Sequence, residues 1–189
     1  MRLTQLSARK AIVTAAVASA AILLPAVALA SSSGASAPAS TSSCATSGLV
    51  VWMNTQGSQY AGGAYYTLNF TNLSGHTCTL DGFPGVSAVN LKGHRIGAPA
   101  GWNPVTRSLI TIASGATATA SLQVSDPANY GTECFLPGPA PSPGHGGKLP
   151  TAAGLRVYPP NQKASKIIPF PLGACASSVP VWLHVGPVQ

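Results

Sequence analysis

The strongest constraint on the fold is the stretch 65–86, which predicts a strand, a turn, a cysteine and a second turn. At its start, apolar side chains alternate with mostly polar ones: Tyr66, Leu68 and Phe70 in one set, and Tyr65, Thr67, Asn69 and Thr71 in the other. A two-residue period of this kind is that of a half-buried β-strand. Turn-forming residues around Gly75 then lead to Cys78, and Pro84 and Gly85 turn the chain again.

The rest of the chain predicts further short strands separated by Gly/Pro-rich turns. Strands are expected at 49–53, 86–91, 109–112, 116–125, 154–158 and 179–185. A hairpin bend is expected at Lys92–Gly93 and another at Ser114–Gly115, between the strands 109–112 and 116–125. Residues 54–63, 98–104, 126–150 and 159–175 are expected to be loops. Beyond the first thirty residues the apolar pattern has no helical period, so the sequence predicts an all-β sandwich of seven to nine strands.

The N-terminus has the pattern of a secretory signal peptide over residues 1–30. Arg2, Arg9 and Lys10 precede an apolar run, and Ala28 and Ala30 complete an A-x-A cleavage signal. Residues 31–43 are rich in Ser, Ala and Pro and predict a disordered tether. A single domain is then expected over 44–189. The alternative, an uncleaved membrane anchor, stays open because the apolar run approaches spanning length.

Four cysteines in a chain with an export signal predict two disulfides. Three pairings are possible, and we favour Cys44–Cys78 and Cys134–Cys175. The first disulfide would join the opening strand to the end of its hairpin partner, and the second would close the long Pro/Gly-rich loop. The chain lacks the CxxC and HxxxH spacings of metal sites, so no metal is expected.

Charge and acid content narrow the function. After signal removal, seven Lys/Arg face three acidic residues, and the positive charges are scattered rather than clustered as in nucleic-acid-binding proteins. Attraction to anionic wall polymers is an open alternative to a role in solubility alone. General acid–base pairs are scarce, and a G-x-S-x-G nucleophile elbow is lacking. We therefore predict no catalytic residue and no cofactor.

Aromatic residues in predicted loops are the remaining candidates for a ligand site: Trp102, Tyr60 and Tyr130. Exposed rings of this kind stack on sugars or anchor a protein partner. The alternative is that they cover the ends of the sandwich.

The sequence also resembles a secreted actinobacterial family of domains of unknown function. The family pattern is an early Cys followed by F-x-N-x-S-G-x-x-C-x-L-x-G-x-P-x-V and, later, a turn and an L-R-V-x-P-P segment. The matching residues are Cys44, Phe70, Asn72, Ser74, Gly75, Cys78, Leu80, Gly82, Pro84, Val86, Gly93, Ser114, Gly115, Leu155–Pro160 and Val185–Val188. The sequence departs from the pattern where Ala113–Gly115 replaces a Pro-Gly turn, and residues 143–147 look like an insertion. The resemblance implies export and an immunoglobulin-like antiparallel β-sandwich, and it carries over no catalytic residue.

Three functions follow as hypotheses. The first is a secreted, non-catalytic module of the cell envelope or medium that binds a cell-wall polymer or another exported protein. The second is a carbohydrate-binding module that uses Trp102, Tyr60 and Tyr130. The third, which the scarcity of acid–base residues disfavours, is a small secreted enzyme or enzyme inhibitor. Neither nucleic acid nor, after cleavage, a membrane is an expected partner.

Overall fold

The computed structural model describes residues 41–138 and 147–189. Three stretches lie outside the described residues: the predicted signal peptide 1–30, the tether residues 31–40, and residues 139–146 of the Pro/Gly-rich loop. Of the predicted tether, Ser42 and Ser43 lie beside Thr79, whose backbone N–H donates to the Ser42 carbonyl at 2.9 Å. Within the described ranges, every helix is too short or too polar to cross a membrane.

Eleven β-strands and two 3₁₀ segments make up the regular structure of the described residues. The strands are β1 (Leu49–Tyr60), β2 (Gly63–Asn72), β3 (Cys78–Asp81), β4 (Gly85–Val89), β5 (Arg95–Ile96), β6 (Gly101–Trp102), β7 (Leu109–Ile112), β8 (Thr117–Ser125), β9 (Thr151–Tyr158), β10 (Lys166–Gly173) and β11 (Leu183–Val185). The 3₁₀ segments are Thr46–Gly48 and Pro127–Cys134. Two of the strands, β5 and β6, are only two residues long.

The strands form two main sheets and a small third one. The five-stranded sheet has the order β1-β2-β8-β11-β6, the four-stranded sheet has the order β10-β9-β4-β5, and β3 pairs with β7. Each of these pairs is antiparallel except β11 with β6, which is parallel. The predicted all-β sandwich of immunoglobulin-like type is confirmed, but the described residues form eleven strands rather than the predicted seven to nine, because β6 and β10 lie in stretches that were expected to be loops.

The core lies between the two main sheets and is built from the alternation that the sequence shows. Along β2, Leu68 and Phe70 are fully buried, and they lie opposite Ala120 and Ala118 of β8. The small alanines leave room for the larger partners, because close packing requires complementary volumes. The other main sheet supplies a second layer of buried residues: Val86, Ala88, Leu155, Val157 and Ile168. Burying one such leucine side chain contributes about 2 kcal/mol, so the apolar side chains between the two sheets stabilise the fold together.

Both disulfides form with the predicted pairing. Cys44 is bonded to Cys78 across 34 residues, and Cys134 is bonded to Cys175 across 41 residues. All four cysteines are buried, and the described part of the chain has no free thiol.

The loop predicted for 54–63 is wrong, because β1 continues to Tyr60. The register with β2 shifts between Asn54 and Ser58, and Tyr60 then pairs with Gly63 across a tight turn. This half of β1 is polar and Gly-containing because it is an edge strand with little burial, so it lacks the apolar alternation by which strands are recognised. Tyr60 therefore stands on a strand rather than in a loop.

A second predicted loop is also a strand. Residues 166–173 form β10, at the edge of the four-stranded sheet, although Pro169 and Pro171 interrupt its sequence. Proline is tolerated at an edge because its missing N–H falls where no neighbouring strand accepts a hydrogen bond. The register with β9 shifts between Pro169 and Leu172, so Pro171 stands in an irregular part of the strand.

The hairpin predicted at Ser114–Gly115 is wrong as well. The turn exists, but β7 pairs with β3 and β8 pairs with β2 and β11. The turn thus carries the chain from one sheet to another, because β8 fills the position beside β2. The last strand is shorter than the predicted 179–185 and begins at Leu183.

Candidate functional site

The three aromatic residues singled out in the sequence do not converge on one patch. Trp102 lies on β6 and Tyr60 on β1, which are the two opposite edges of the five-stranded sheet. Four inter-strand spacings separate these edges, a distance of roughly 19 Å. Tyr130 lies in the 3₁₀ segment, partly buried against the hydrophobic core. A single site that uses all three rings is therefore not formed.

Trp102 is the most exposed of the three and is held on a fixed backbone. β6 pairs with β11, where Trp102 lies opposite Val185, and the next backbone N–H, that of Asn103, donates to the Val185 carbonyl at 2.9 Å. The indole stacks on the ring of Phe83, with 5.3 Å between centroids and 16° between planes. Despite this contact, 68% of Trp102 remains exposed. A large aromatic ring is thus presented to solvent in a defined orientation.

Trp102 forms one wall of a groove of about 460 Å³ at the side of the sandwich. We call it the Trp102 groove; it is lined by Gly85, Val86, Ser87, Arg95, Pro99, Ala100, Trp102, Arg156 and Tyr158. Its floor is the solvent-facing side of the four-stranded sheet, where Ser87 pairs with Arg156 and Gly85 with Tyr158. The wall at 99–102 is fixed to this floor because the Ala100 N–H donates to the Val86 carbonyl at 2.8 Å.

Two guanidinium groups give the Trp102 groove its charge. Arg156 donates from Nη2 to the Gly93 carbonyl at 2.8 Å, while Arg95 is exposed on β5. None of the acidic residues of the described chain lines the groove, and none of them forms an ion pair with either arginine. The groove therefore combines positive charge with the aromatic faces of Trp102 and Tyr158.

Sequence reasoning found Trp102 but missed its neighbours. Arg156 and Tyr158 are two residues apart in the segment LRVY, so a strand there places both on one face. That signal was available, and it predicts a charged and an aromatic side chain facing solvent together. The position of Arg95 beside them depends on how β4, β5 and β9 pair, which the sequence alone does not specify.

A second concavity, of about 700 Å³, lies at one end of the two main sheets and contains Tyr60. We call it the Tyr60 cleft; its polar lining residues are Gln59, Tyr60, Ser125, Asp126 and Asn129, and its apolar ones include Tyr66, Leu149, Phe170 and Leu172. The Tyr60 hydroxyl accepts from Gln123 Nε2 at 3.0 Å and lies 3.2 Å from Ser125 Oγ. The Tyr60 ring therefore stands at the edge of the cleft, with its hydroxyl held by Gln123 and Ser125.

Of the three acidic residues, Asp126 has a structural role. The Asp126 carboxylate accepts from the Ala128 N–H at 2.9 Å and so caps the 3₁₀ segment that follows. Glu133 is exposed beside Cys134, and Asp81 ends β3. Across 41–138 and 147–189, no three metal-ligating side chains of the His, Cys, Asp or Glu type come together.

Comparison with known proteins places the domain in a family without assigning it an activity. No curated protein and no solved structure matches the chain. One family model, described as "Domain of unknown function (DUF4232)", matches residues 44–189, a range that contains both disulfides and all eleven strands. Because the match covers most of the sequence, the chain belongs to the DUF4232 family.

Proposed function

We propose that this domain is a non-catalytic module that acts outside the cytoplasm and binds its ligand in the Trp102 groove. The observation that carries the proposal is the exposed indole of Trp102, stacked on Phe83 above a groove that also holds two guanidinium groups. Aromatic and arginine side chains are the residue types that contribute most binding energy at protein surfaces. Leaving a tryptophan two-thirds exposed costs hydrophobic stabilisation, which a ligand would restore.

The rigidity of the scaffold supports a binding role. Trp102 is attached to β11 through the parallel pairing of β6, and β11 is itself paired with β8 at the centre of the sheet. A ring on such a support loses little conformational freedom when a ligand binds, which favours affinity.

The absence of catalysis rests on the chemistry of the acidic residues. The Asp126 carboxylate caps the 3₁₀ segment by accepting from the Ala128 N–H, and Asp81 and Glu133 line neither concavity. General acid–base catalysis needs a carboxylate, histidine or similar group within hydrogen-bond reach of the substrate. The Trp102 groove offers only arginine, serine and tyrosine as polar side chains.

Action outside the cytoplasm is supported by two independent features. The N-terminal thirty residues have the pattern of a signal peptide, and the folded domain contains two disulfides. Disulfides persist in oxidising compartments and are rare in the cytosol.

A co-sedimentation assay tests the proposal. The oxidised, exported protein is incubated with insoluble envelope material of its own host, and the bound fraction is compared with that of Trp102→Ala. We expect the substitution to lower the affinity at least tenfold, because truncating a central aromatic anchor typically costs more than about 2 kcal/mol.

Trp52→Ala is the matched control. Trp52 is 46% exposed but lies on β1, at the far edge of the five-stranded sheet, so its removal should leave binding unchanged. Equal binding by Trp102→Ala and the unmodified protein would exclude the Trp102 groove. If neither the envelope nor other exported proteins retain the unmodified protein, a binding function outside the cytoplasm is excluded.

The Tyr60 cleft supports a second candidate function, the binding of a neutral carbohydrate. Its lining combines a tyrosine ring with amide, hydroxyl and carboxylate groups from Gln59, Ser125, Asp126 and Asn129. Such groups form hydrogen bonds with sugar hydroxyls, and the ring offers a stacking surface. Titration with neutral wall glycans, compared between the unmodified protein and Tyr60→Ala, tests this function. Identical affinities would exclude it.

A further inference from the structure

We infer that the Trp102 groove recognises an acidic glycan, with carboxylate or phosphate groups bound by Arg95 and Arg156 and a sugar ring on Trp102. The inference rests on the proposed function and names the chemical class of the ligand at that site. It depends on three properties of the groove: two arginine side chains in its lining, the lack of a competing carboxylate, and aromatic surface in the same lining.

The two arginines approach the groove from neighbouring strands. Arg156 of β9 pairs with Ser87, and Arg95 of β5 pairs with Val89, so the two arginines lie on opposite sides of β4. Their Cα atoms are then two strand spacings and about two residues apart, roughly 12 Å. Both arginine side chains are long enough to line the same groove from these positions. Their guanidinium groups can therefore bind one anionic group together, or two anionic groups on adjacent sugar residues.

The charge in the groove is available to a ligand. Arg156 is oriented by the bond from its Nη2 to the Gly93 carbonyl, which leaves its other N–H groups for an anion. Asp81, Asp126 and Glu133, the acidic residues of the described chain, all lie outside the groove. Two unneutralised guanidinium groups favour an anion, and arginine is the side chain best suited to carboxylate and phosphate geometry.

The aromatic surface indicates that the anion is attached to a ring. Trp102 and Tyr158 line the same groove as the arginines. Ser87 also lines it and lies on β4, between the strands β5 and β9 that carry the two arginines. An aromatic face binds the C–H face of a sugar, while a small free anion would gain nothing from it. The rest of the positive charge is scattered over the chain, unlike the continuous basic surface that a nucleic acid requires.

Isothermal titration of the oxidised, exported protein tests the inference with three probes. They are an oligogalacturonate, the same oligomer with its carboxylates methyl-esterified, and a sugar-phosphate oligomer. We expect the esterified oligomer to bind at least tenfold more weakly than the free acid. Whichever of the acidic probes binds more tightly identifies the anionic group, and tight binding of either supports the inference.

The double variant Arg95→Gln/Arg156→Gln should bind the preferred acidic probe roughly tenfold or more weakly, since each charge-assisted hydrogen bond is worth more than a neutral one. Its affinity should also depend less on salt, because screening acts on the charges that were removed. Lys148→Gln is the matched control: it removes one exposed positive charge next to Leu149 of the Tyr60 cleft and should change nothing.

Three results would overturn the inference: equal binding of free and esterified oligomers, unchanged binding by the double variant, or equal losses in the double variant and Lys148→Gln. If Trp102→Ala still abolishes envelope binding in that case, the proposed function stands and only the ligand class is wrong. A circular dichroism melt of each variant verifies that the losses do not reflect unfolding.

Discussion

Asn72 is the residue whose side chain holds the central turn together. It is fully buried, and its Nδ2 donates to the carbonyls of His76 at 2.7 Å and Ile112 at 3.0 Å. Its Oδ1 accepts from the backbone N–H and the hydroxyl of Ser74, at 3.0 and 2.7 Å. The amide thus uses both donors and both acceptor positions, which a buried polar group must do to avoid a desolvation penalty.

Asn72→Ala should lower the free energy of unfolding by about 3 kcal/mol, because it leaves the Ile112 carbonyl without its side-chain donor and removes the acceptor of the Ser74 N–H. The His76 carbonyl loses one donor and keeps the Ser74 hydroxyl at 3.1 Å. Urea unfolding followed by fluorescence measures the loss. Asn129→Ala is the control, since Asn129 is exposed and its Nδ2 makes a single bond to the Gly62 carbonyl; its loss should stay below about 1 kcal/mol. Comparable losses for the two variants would contradict this role of Asn72.

Single residues differ in how far the sequence could reveal them. Trp102 was identifiable as a large aromatic among prolines and glycines, although its predicted loop position is wrong because it lies on the two-residue strand β6. Arg95 was not identifiable, because its place in the groove depends on tertiary structure. The pairing of β5 with β4 puts Arg95 opposite Val89, and Trp102 reaches the groove from the other sheet. Local sequence therefore identified one wall of the groove and left the opposite side unpredicted.

At the scale of elements, strands with an alternating or continuous apolar pattern were predictable, and two edge segments that lack such a pattern were not. From Thr117 to Gln123, β8 alternates without exception between buried and more exposed residues. This strand is paired with a neighbour on each side, and one of its faces lies in the core. β10 and the second half of β1 are edge segments, where prolines and polar residues are tolerated. Their sequences therefore resemble loops.

The disulfides connect elements that pair weakly or not at all. Cys134 ends the 3₁₀ segment and Cys175 lies between β10 and β11, so their bond joins two irregular parts of the chain. Cys44 precedes β1 and is joined to the first residue of β3.

Replacing either pair with serine should lower the free energy of unfolding by roughly 4 kcal/mol in the chain-entropy account. The two losses should be nearly equal, because the closed loops span 34 and 41 residues and the entropy term varies only with the logarithm of length. Chemical denaturation of Cys44→Ser/Cys78→Ser and Cys134→Ser/Cys175→Ser measures them side by side. A negligible loss for one pair would show that its bond does not constrain the unfolded chain as this account requires.

For the whole molecule, the fold could be predicted to the level of class and cross-links, and the site could not. Alternation, turns and an even cysteine count define an all-β sandwich with two disulfides, because each is a local or compositional property. The Trp102 groove is assembled from β4, β5, β6 and β9, which belong to two different sheets. Its existence depends on how the sheets are joined along one side.

The central claim is that the Trp102 groove binds an acidic ligand. A titration of the isotope-labelled protein with the preferred acidic oligomer, followed by NMR, measures this directly. We predict chemical-shift changes at the indole N–H of Trp102 and the side-chain N–H groups of Arg95 and Arg156, with the Trp52 indole unchanged. Changes centred on Tyr60 and Asn129 instead, or no changes at saturating oligomer, would contradict it.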